Sequence, residues 1–163
     1  MLNLHSRWVF LALFLVLIAL LLSASYFQFV LGYEPCPLCI MQRLAFLFIA
    51  LLALLVVIHN PGLVGRRIYS GWMVFFSLFG IYFSGKQVWL QNLPPDQVPA
   101  CGPGLNILLQ NFPINTILHE LFFGSGQCAE VDWKFLGLSF AGWALVGFIC
   151  CLVFAMVQFV KKA

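Results

Sequence analysis

Four apolar stretches dominate this chain, at residues 8–31, 40–58, 68–83 and 135–160, and of all its Asp, Glu, Lys and Arg residues Arg43 alone lies inside one of them. The stretches hold about 16 to 26 residues each, against the ~20 that an α-helix needs to cross the hydrocarbon core of a bilayer. Lipid offers no hydrogen bonds to an open backbone, so such segments satisfy themselves as helices. With 63% hydrophobic and 8% charged residues among 163, the chain carries more apolar surface than one soluble core of this length can hide. A net charge of +3, scattered along the sequence, forms no surface for nucleic acid. The expected fold is an all-α membrane protein, a single domain built as a four-transmembrane-helix bundle.

The charges set its orientation. Arg7 precedes the first stretch, Arg66 and Arg67 separate the second from the third, and Lys161 and Lys162 follow the fourth. All five acids, Glu34, Asp96, Glu120, Glu130 and Asp132, fall on the other side. By the positive-inside rule both termini and the loop holding Arg66 are cytoplasmic. The resulting topology has 1–8 cytoplasmic, 9–31 as first span, 32–39 as a short outer loop and 40–58 as second span. It continues with 59–67 cytoplasmic, 68–87 as third span, 88–136 as a long outer loop, 137–160 as fourth span and 161–163 cytoplasmic. The basic start and Ser23-Ala24-Ser25 also fit a cleavable signal peptide. The apolar run continues to Leu31, however, longer than a signal core, so an uncleaved first helix is expected.

Four of the six cysteines thereby face the outer side, where disulfides persist. Cys101 and Cys128 share the long loop with 26 residues between them. Closing such a loop stabilises by about 3–4 kcal/mol in the chain-entropy model, which taken alone favours a structural crosslink. Cys36 and Cys39, within EPCPLCIMQR, are different. A C-x-x-C disulfide closes too small a loop to pin anything, so the pair points to thiol–disulfide exchange or to metal binding. Cys39 falls where the second helix begins, a position that favours the thiolate, and Arg43 follows one turn later, about 6 Å along the helix. Pro37 stiffens the segment between the sulfurs. A snorkelling cation is the plainer account of Arg43, yet an ionisable group at the edge of a span is a functional candidate.

Four thiolates would suit tetrahedral zinc, but the loop pair lacks metal-ligand spacing, and His5, His59 and His119 read as surface or interfacial residues. Cys150 and Cys151, adjacent on the fourth helix, point apart and read as small apolar packing groups. The long loop opens with a Pro- and Gly-rich run from Asn92 to Gly104 that leaves Cys101 extended and accessible to another protein's thiol. Ile114, Ile117, Leu118, Leu121 and Phe122 then recur with helical period, a short helix lying on the membrane surface. Gly124-Ser125-Gly126 ends it and leaves Cys128 on a flexible segment.

Cys-Pro-Leu-Cys with arginine four residues on, four spans, and Gly-Gln-Cys-Ala-Glu followed by Trp133-Lys134-Phe135-Leu136-Gly137 together resemble the DsbB family of bacterial inner-membrane disulfide-generating proteins. The likeness covers nearly the whole chain. It implies redox-active disulfides Cys36–Cys39 and Cys101–Cys128 on the periplasmic side, a periplasmic DsbA-like thioredoxin-fold partner, and ubiquinone or menaquinone as electron acceptor. In that scheme the reduced partner attacks Cys101, released Cys128 engages Cys36, and freed Cys39 reduces the quinone. Arg43 would hold the quinone oxygens, with Gln87 a weaker candidate that otherwise reads as an interfacial cap. A paralogue dedicated to one substrate fits the same residues. A vitamin-K-epoxide-reductase-like enzyme also joins four helices to two cysteine pairs, but its C-x-x-C follows the loop pair, whereas Cys36 and Cys39 precede it. A non-catalytic membrane metal-binding or interaction protein is the alternative from a different class.

Overall fold

The structure, a computed structural model, describes residues 4–32, 36–94, 96–98, 113–116, 122, 126–129 and 134–160; Cys101 lies outside them. Four helices carry the architecture: α1 (Leu4–Phe29), α2 (Pro37–His59), α3 (Leu63–Gln91) and α4 (Phe140–Val160). Each is long and apolar enough to cross a membrane. Successive helices are antiparallel. Arg7 Nη2 near the start of α1 donates to the Val57 carbonyl near the end of α2 at 3.1 Å, and His59 Nδ1 at the end of α2 meets Tyr69 Oη on α3 at 2.7 Å. Ser139 Oγ, just before α4, donates to Gln91 Oε1 at the end of α3 at 2.6 Å.

Local sequence explains where the helices start and stop. Cys36 is the N-cap of α2, with extended backbone (φ −70°, ψ 160°), and its sulfur accepts the Cys39 N–H at 3.4 Å. Pro37 takes the first helical position, where a missing N–H is no loss. At the far end Asn60 adopts the left-handed region (φ 44°, ψ 54°) and returns its N–H to the Val56 carbonyl. Pro61 then prevents continuation, and Gly62 is the N-cap of α3.

The apolar stretch beginning at 135 is a hairpin first and a helix only from Phe140. Strands β1 (Lys134–Phe135) and β2 (Leu138–Ser139) pair antiparallel across Leu136 (φ 52°) and Gly137 (φ 82°), the two left-handed positions of a type I′ turn. Ser139 Oγ accepts the Gly142 N–H at 3.3 Å and so caps α4, while Trp143 Nε1 donates to the Phe135 carbonyl at 3.1 Å.

The bundle packs through a buried stripe on α3: Ser70, Met73, Ser77, Gly80, Ser84 and Gln87, alternating at three- and four-residue steps. Small side chains along it let α4 approach closely. At Gly80 the approach is closest, because a Cβ there would lie 2.2 Å from the Phe148 ring. Phe148 in turn stacks on Phe46 of α2, with centroids 3.8 Å apart and planes 7° from parallel. An edge-to-face pair, Phe10 with Phe154 at 5.2 Å, attaches α1 to α4. Exposed Trp8 and Trp72 lie toward one end of the bundle, and Trp89 and Trp143 toward the other, matching two membrane–water interfaces.

Gly80→Ala is expected to destabilise the protein by about 1–3 kcal/mol through overpacking against Phe148. Thermal unfolding in detergent measures it, and the double variant with Phe148→Leu should recover part of the loss. An unchanged Tm for Gly80→Ala would contradict the close contact.

Candidate redox site

The N-cap geometry of α2 brings its two cysteines together. A capping residue and the third residue after it stand side by side, and the Cys36 and Cys39 sulfurs are 2.7 Å apart. Cys128 joins them from the long loop. It sits in a single turn of 3-10 helix, Gly126–Ala129, with none of its surface exposed, and shares an apolar cluster with Cys36, Leu38, Phe83 and Leu90. The free movement expected for Cys128 on a flexible segment is therefore not what the structure has: packing against α2 and α3 holds it inside. Nearby, Lys86 Nζ donates to the Phe122 carbonyl at 3.1 Å and Phe122 lies on Phe83, centroids 5.7 Å apart. Of the expected surface helix, residues 114–116 are helical, whereas Ile117, Leu118 and Leu121 lie outside the described residues.

Cys36 is the shared member of this group. Its thiol is hydrogen-bonded with Cys128 and with Cys39 and is buried, and in that order these effects push its pKa well above the usual thiol range. Cys36 thus sits with two sulfur neighbours, Cys39 on its own turn and Cys128 in the same buried cluster. Cys39 is half-buried.

Gln87, the weaker of the two polar candidates in sequence, is the group that touches the sulfurs. Its Nε2 donates to Cys36 Sγ at 3.4 Å and to Cys39 Sγ at 3.3 Å, from the third helix to the start of the second. Gln42, which sequence reasoning passed over, donates from Nε2 to Gln87 Oε1 at 2.7 Å. The signal for it was present: an uncharged amide three residues after Cys39, on the same helical face. Arg43 turns the other way. Its Nη2 donates to the Ala24 carbonyl at 3.1 Å and its Nη1 to Gln28 Oε1, both on α1. Cys150 is exposed on the bundle surface and Cys151 is buried in the central cluster around Phe148, in the middle of α4 and away from the three sulfurs at the bundle end.

A membrane bundle with a cluster of thiols seated at the mouth of one helix is built as a multi-pass membrane thiol–disulfide oxidoreductase. Comparison with known proteins narrows that class. The family described as Disulfide bond formation protein DsbB matches residues 6–158. The chain is 49% identical to Disulfide bond formation protein B of Nitrosococcus oceani over 156 residues, 96% of this chain and 92% of that protein. It is 46% identical to the protein of the same name from Methylococcus capsulatus, covering 94% and 93% of the two chains. Disulfide bond formation protein B 1 of Pseudomonas aeruginosa is 41% identical, with 96% of each chain covered. The chain belongs to the DsbB family of disulfide-generating oxidoreductases of the inner membrane.

Proposed function

We propose that this protein reoxidises a periplasmic DsbA-like dithiol protein and passes the electrons to a membrane quinone, ubiquinone or menaquinone. The observation that supports this most is the Cys36 sulfur 2.7 Å from Cys39 and in one buried cluster with Cys128, which the long loop brings to the start of α2. A sulfur with two sulfur neighbours is what a relay of disulfides requires. In the proposed sequence the partner's thiolate attacks the Cys101–Cys128 disulfide at Cys101, which releases Cys128 as thiolate. Cys128 attacks Cys36, breaking the Cys36–Cys39 bond and leaving the electron pair on Cys39. The partner's second thiolate displaces Cys101 and completes the partner disulfide. Cys101 then attacks Cys128, restoring the loop disulfide and freeing Cys36. The Cys36–Cys39 dithiol gives up two electrons and two protons to the quinone and becomes a disulfide again.

The donor set near Cys39 fits a quinone, whose two carbonyl oxygens accept hydrogen bonds. Gln87 supplies amide N–H at the sulfurs, and the Arg43 guanidinium, four residues after Cys39, has five N–H donors, more than its two contacts with α1 use. The bound quinone supplies the oxidising power of the cycle. Protein residues supply orientation and a low-dielectric, apolar floor from Leu38, Phe83 and Leu90.

Purified protein mixed with reduced DsbA-like partner and a soluble quinone should reduce one quinone per partner disulfide formed, both being two-electron couples. Absence of quinone reduction with a competent partner would remove this reading. In the same assay Arg43→Ala is expected to slow quinone use roughly 10- to 150-fold, the loss of a charge-assisted hydrogen bond of ~1.5–3 kcal/mol, with thiol exchange nearly unchanged. Equal slowing of both half-reactions would assign Arg43 to anchoring α1 alone.

A further inference from the structure

We propose that Gln42 is a positioning residue that fixes which end of the Gln87 amide faces the sulfurs of Cys36 and Cys39. The two ends of a glutamine amide are almost identical in shape and opposite in hydrogen-bonding character, so packing alone does not choose between them. Gln42 does. Its Nε2 donates to Gln87 Oε1 at 2.7 Å, which leaves Gln87 Nε2 as the end nearer the sulfurs, 3.4 Å from Cys36 and 3.3 Å from Cys39, while Oε1 lies 3.6 Å from Cys39 Sγ and reaches Cys39 alone. With Gln42 donating as it does here, turning the Gln87 amide over would set N–H against N–H at Gln42 and bring the carbonyl oxygen against both sulfurs instead of Cys39 alone. Both side chains are about 95% buried, with exposures of 5% for Gln42 and 4% for Gln87, so water does not repair the mismatch.

The consequence falls on Cys39. An N–H aimed at a sulfur favours the thiolate, and a carbonyl oxygen in the same place opposes it. When Cys128 attacks Cys36, the Cys36–Cys39 bond breaks toward Cys39, whose new charge is accepted by the Gln87 N–H that Gln42 has aligned. A thiolate that is better accommodated leaves faster. Gln42 touches neither the incoming sulfur nor the quinone in this account; it acts through Gln87. The inference rests on the relay described above for its purpose, but not for its test.

That test needs no partner and no quinone. The full-length protein in detergent, reduced, is alkylated with iodoacetamide across a pH series, and Cys39 labelling is followed by mass spectrometry. Gln42→Met and Gln87→Met keep side-chain length and remove the amides. Gln42→Met is expected to slow Cys39 alkylation at neutral pH up to about tenfold and to move the pH–rate profile upward by as much as one unit. In the Gln87→Met background the same Gln42 change should do nothing further, because its target is gone. Additive effects in the double variant, or an unmoved pH–rate profile with only a lowered Tm, would overturn the proposal. Gln42→Glu is the second arm: a carboxylate accepts but does not donate, so it draws the Gln87 N–H away from the sulfurs, and its slowing should shrink when Gln87 is already Met. A slowing of equal size in both backgrounds would mean that charge acts on Cys39 directly, and would count against alignment. If alkylation behaves as expected while quinone turnover is absent, the alignment stands and the relay fails.

Discussion

Cys39→Ala is expected to reduce quinone turnover to the uncatalysed rate while leaving the first exchange with the partner intact. The substitution removes the sulfur from which electrons leave the protein, and no other described cysteine contacts both Cys36 and Gln87 from α2. It should do so without damage to the fold. What caps α2 is the backbone N–H of residue 39, which donates to Cys36 Sγ at 3.4 Å, and alanine retains that N–H. Helix propensity is also no obstacle, alanine being the best helix former. The partner's attack on the loop pair lies upstream of Cys39, so a partner with a single active-site cysteine should still be trapped as a mixed disulfide at Cys101. Non-reducing electrophoresis and quinone absorbance read the two halves separately. Undiminished quinone reduction by Cys39→Ala would dismiss Cys39 as the exit of the relay. Loss of the trapped adduct would mean that the two cysteine pairs are not ordered as proposed.

Much of the architecture was legible because lipid makes fewer demands on a sequence than a soluble core does. A helix that faces hydrocarbon need only be apolar and long, and four such stretches separated by more polar segments give four antiparallel helices. The pairing of Cys36 with Cys39 was legible for a similar local reason, since a proline after the first cysteine places both in one N-terminal turn. What crosses between elements was harder to read. Helical periodicity put Arg43 on the face of Cys39 but said nothing of α1, where Ala24 and Gln28 draw the guanidinium aside. Gln87 looked like a cap from its place near the end of a span. Only the packing of α3 on α2 shows its amide against the sulfurs, and only then does Gln42 acquire a partner. The glycines before Cys128 suggested freedom, yet the apolar residues awaiting it on other elements, Leu38, Phe83 and Leu90, are invisible from the loop itself. The hairpin ahead of α4 escaped notice because Phe135, Leu136 and Leu138 continue an apolar run, and left-handed backbone at Leu136 is uncommon for a non-glycine residue.

The loop pair offers the sharpest contrast between a relay and a crosslink. Cys128→Ala and Cys101→Ala are each expected to bring partner-driven quinone reduction down to the uncatalysed rate, since either removes the disulfide through which the partner's electrons enter. A small dithiol supplies a second entrance. Cys39 is half-buried, whereas Cys36 and Cys128 are buried, so dithiothreitol can reach the Cys36–Cys39 pair at Cys39 without the loop. Quinone reduction driven by dithiothreitol should therefore survive in both loop variants, within a few-fold of the parent. A crosslink whose only task is to hold the loop makes the opposite demand. Its removal would cost about 3–4 kcal/mol of stability, visible as a lowered Tm, and would depress the two reactions together. For Cys128→Ala some destabilisation is expected in either case, because the thiol fills a fully buried site. The decisive quantity is thus the ratio of the dithiothreitol-driven to the partner-driven rate: a large rise in both variants marks an electron entrance, and a ratio equal to the parent's marks a staple.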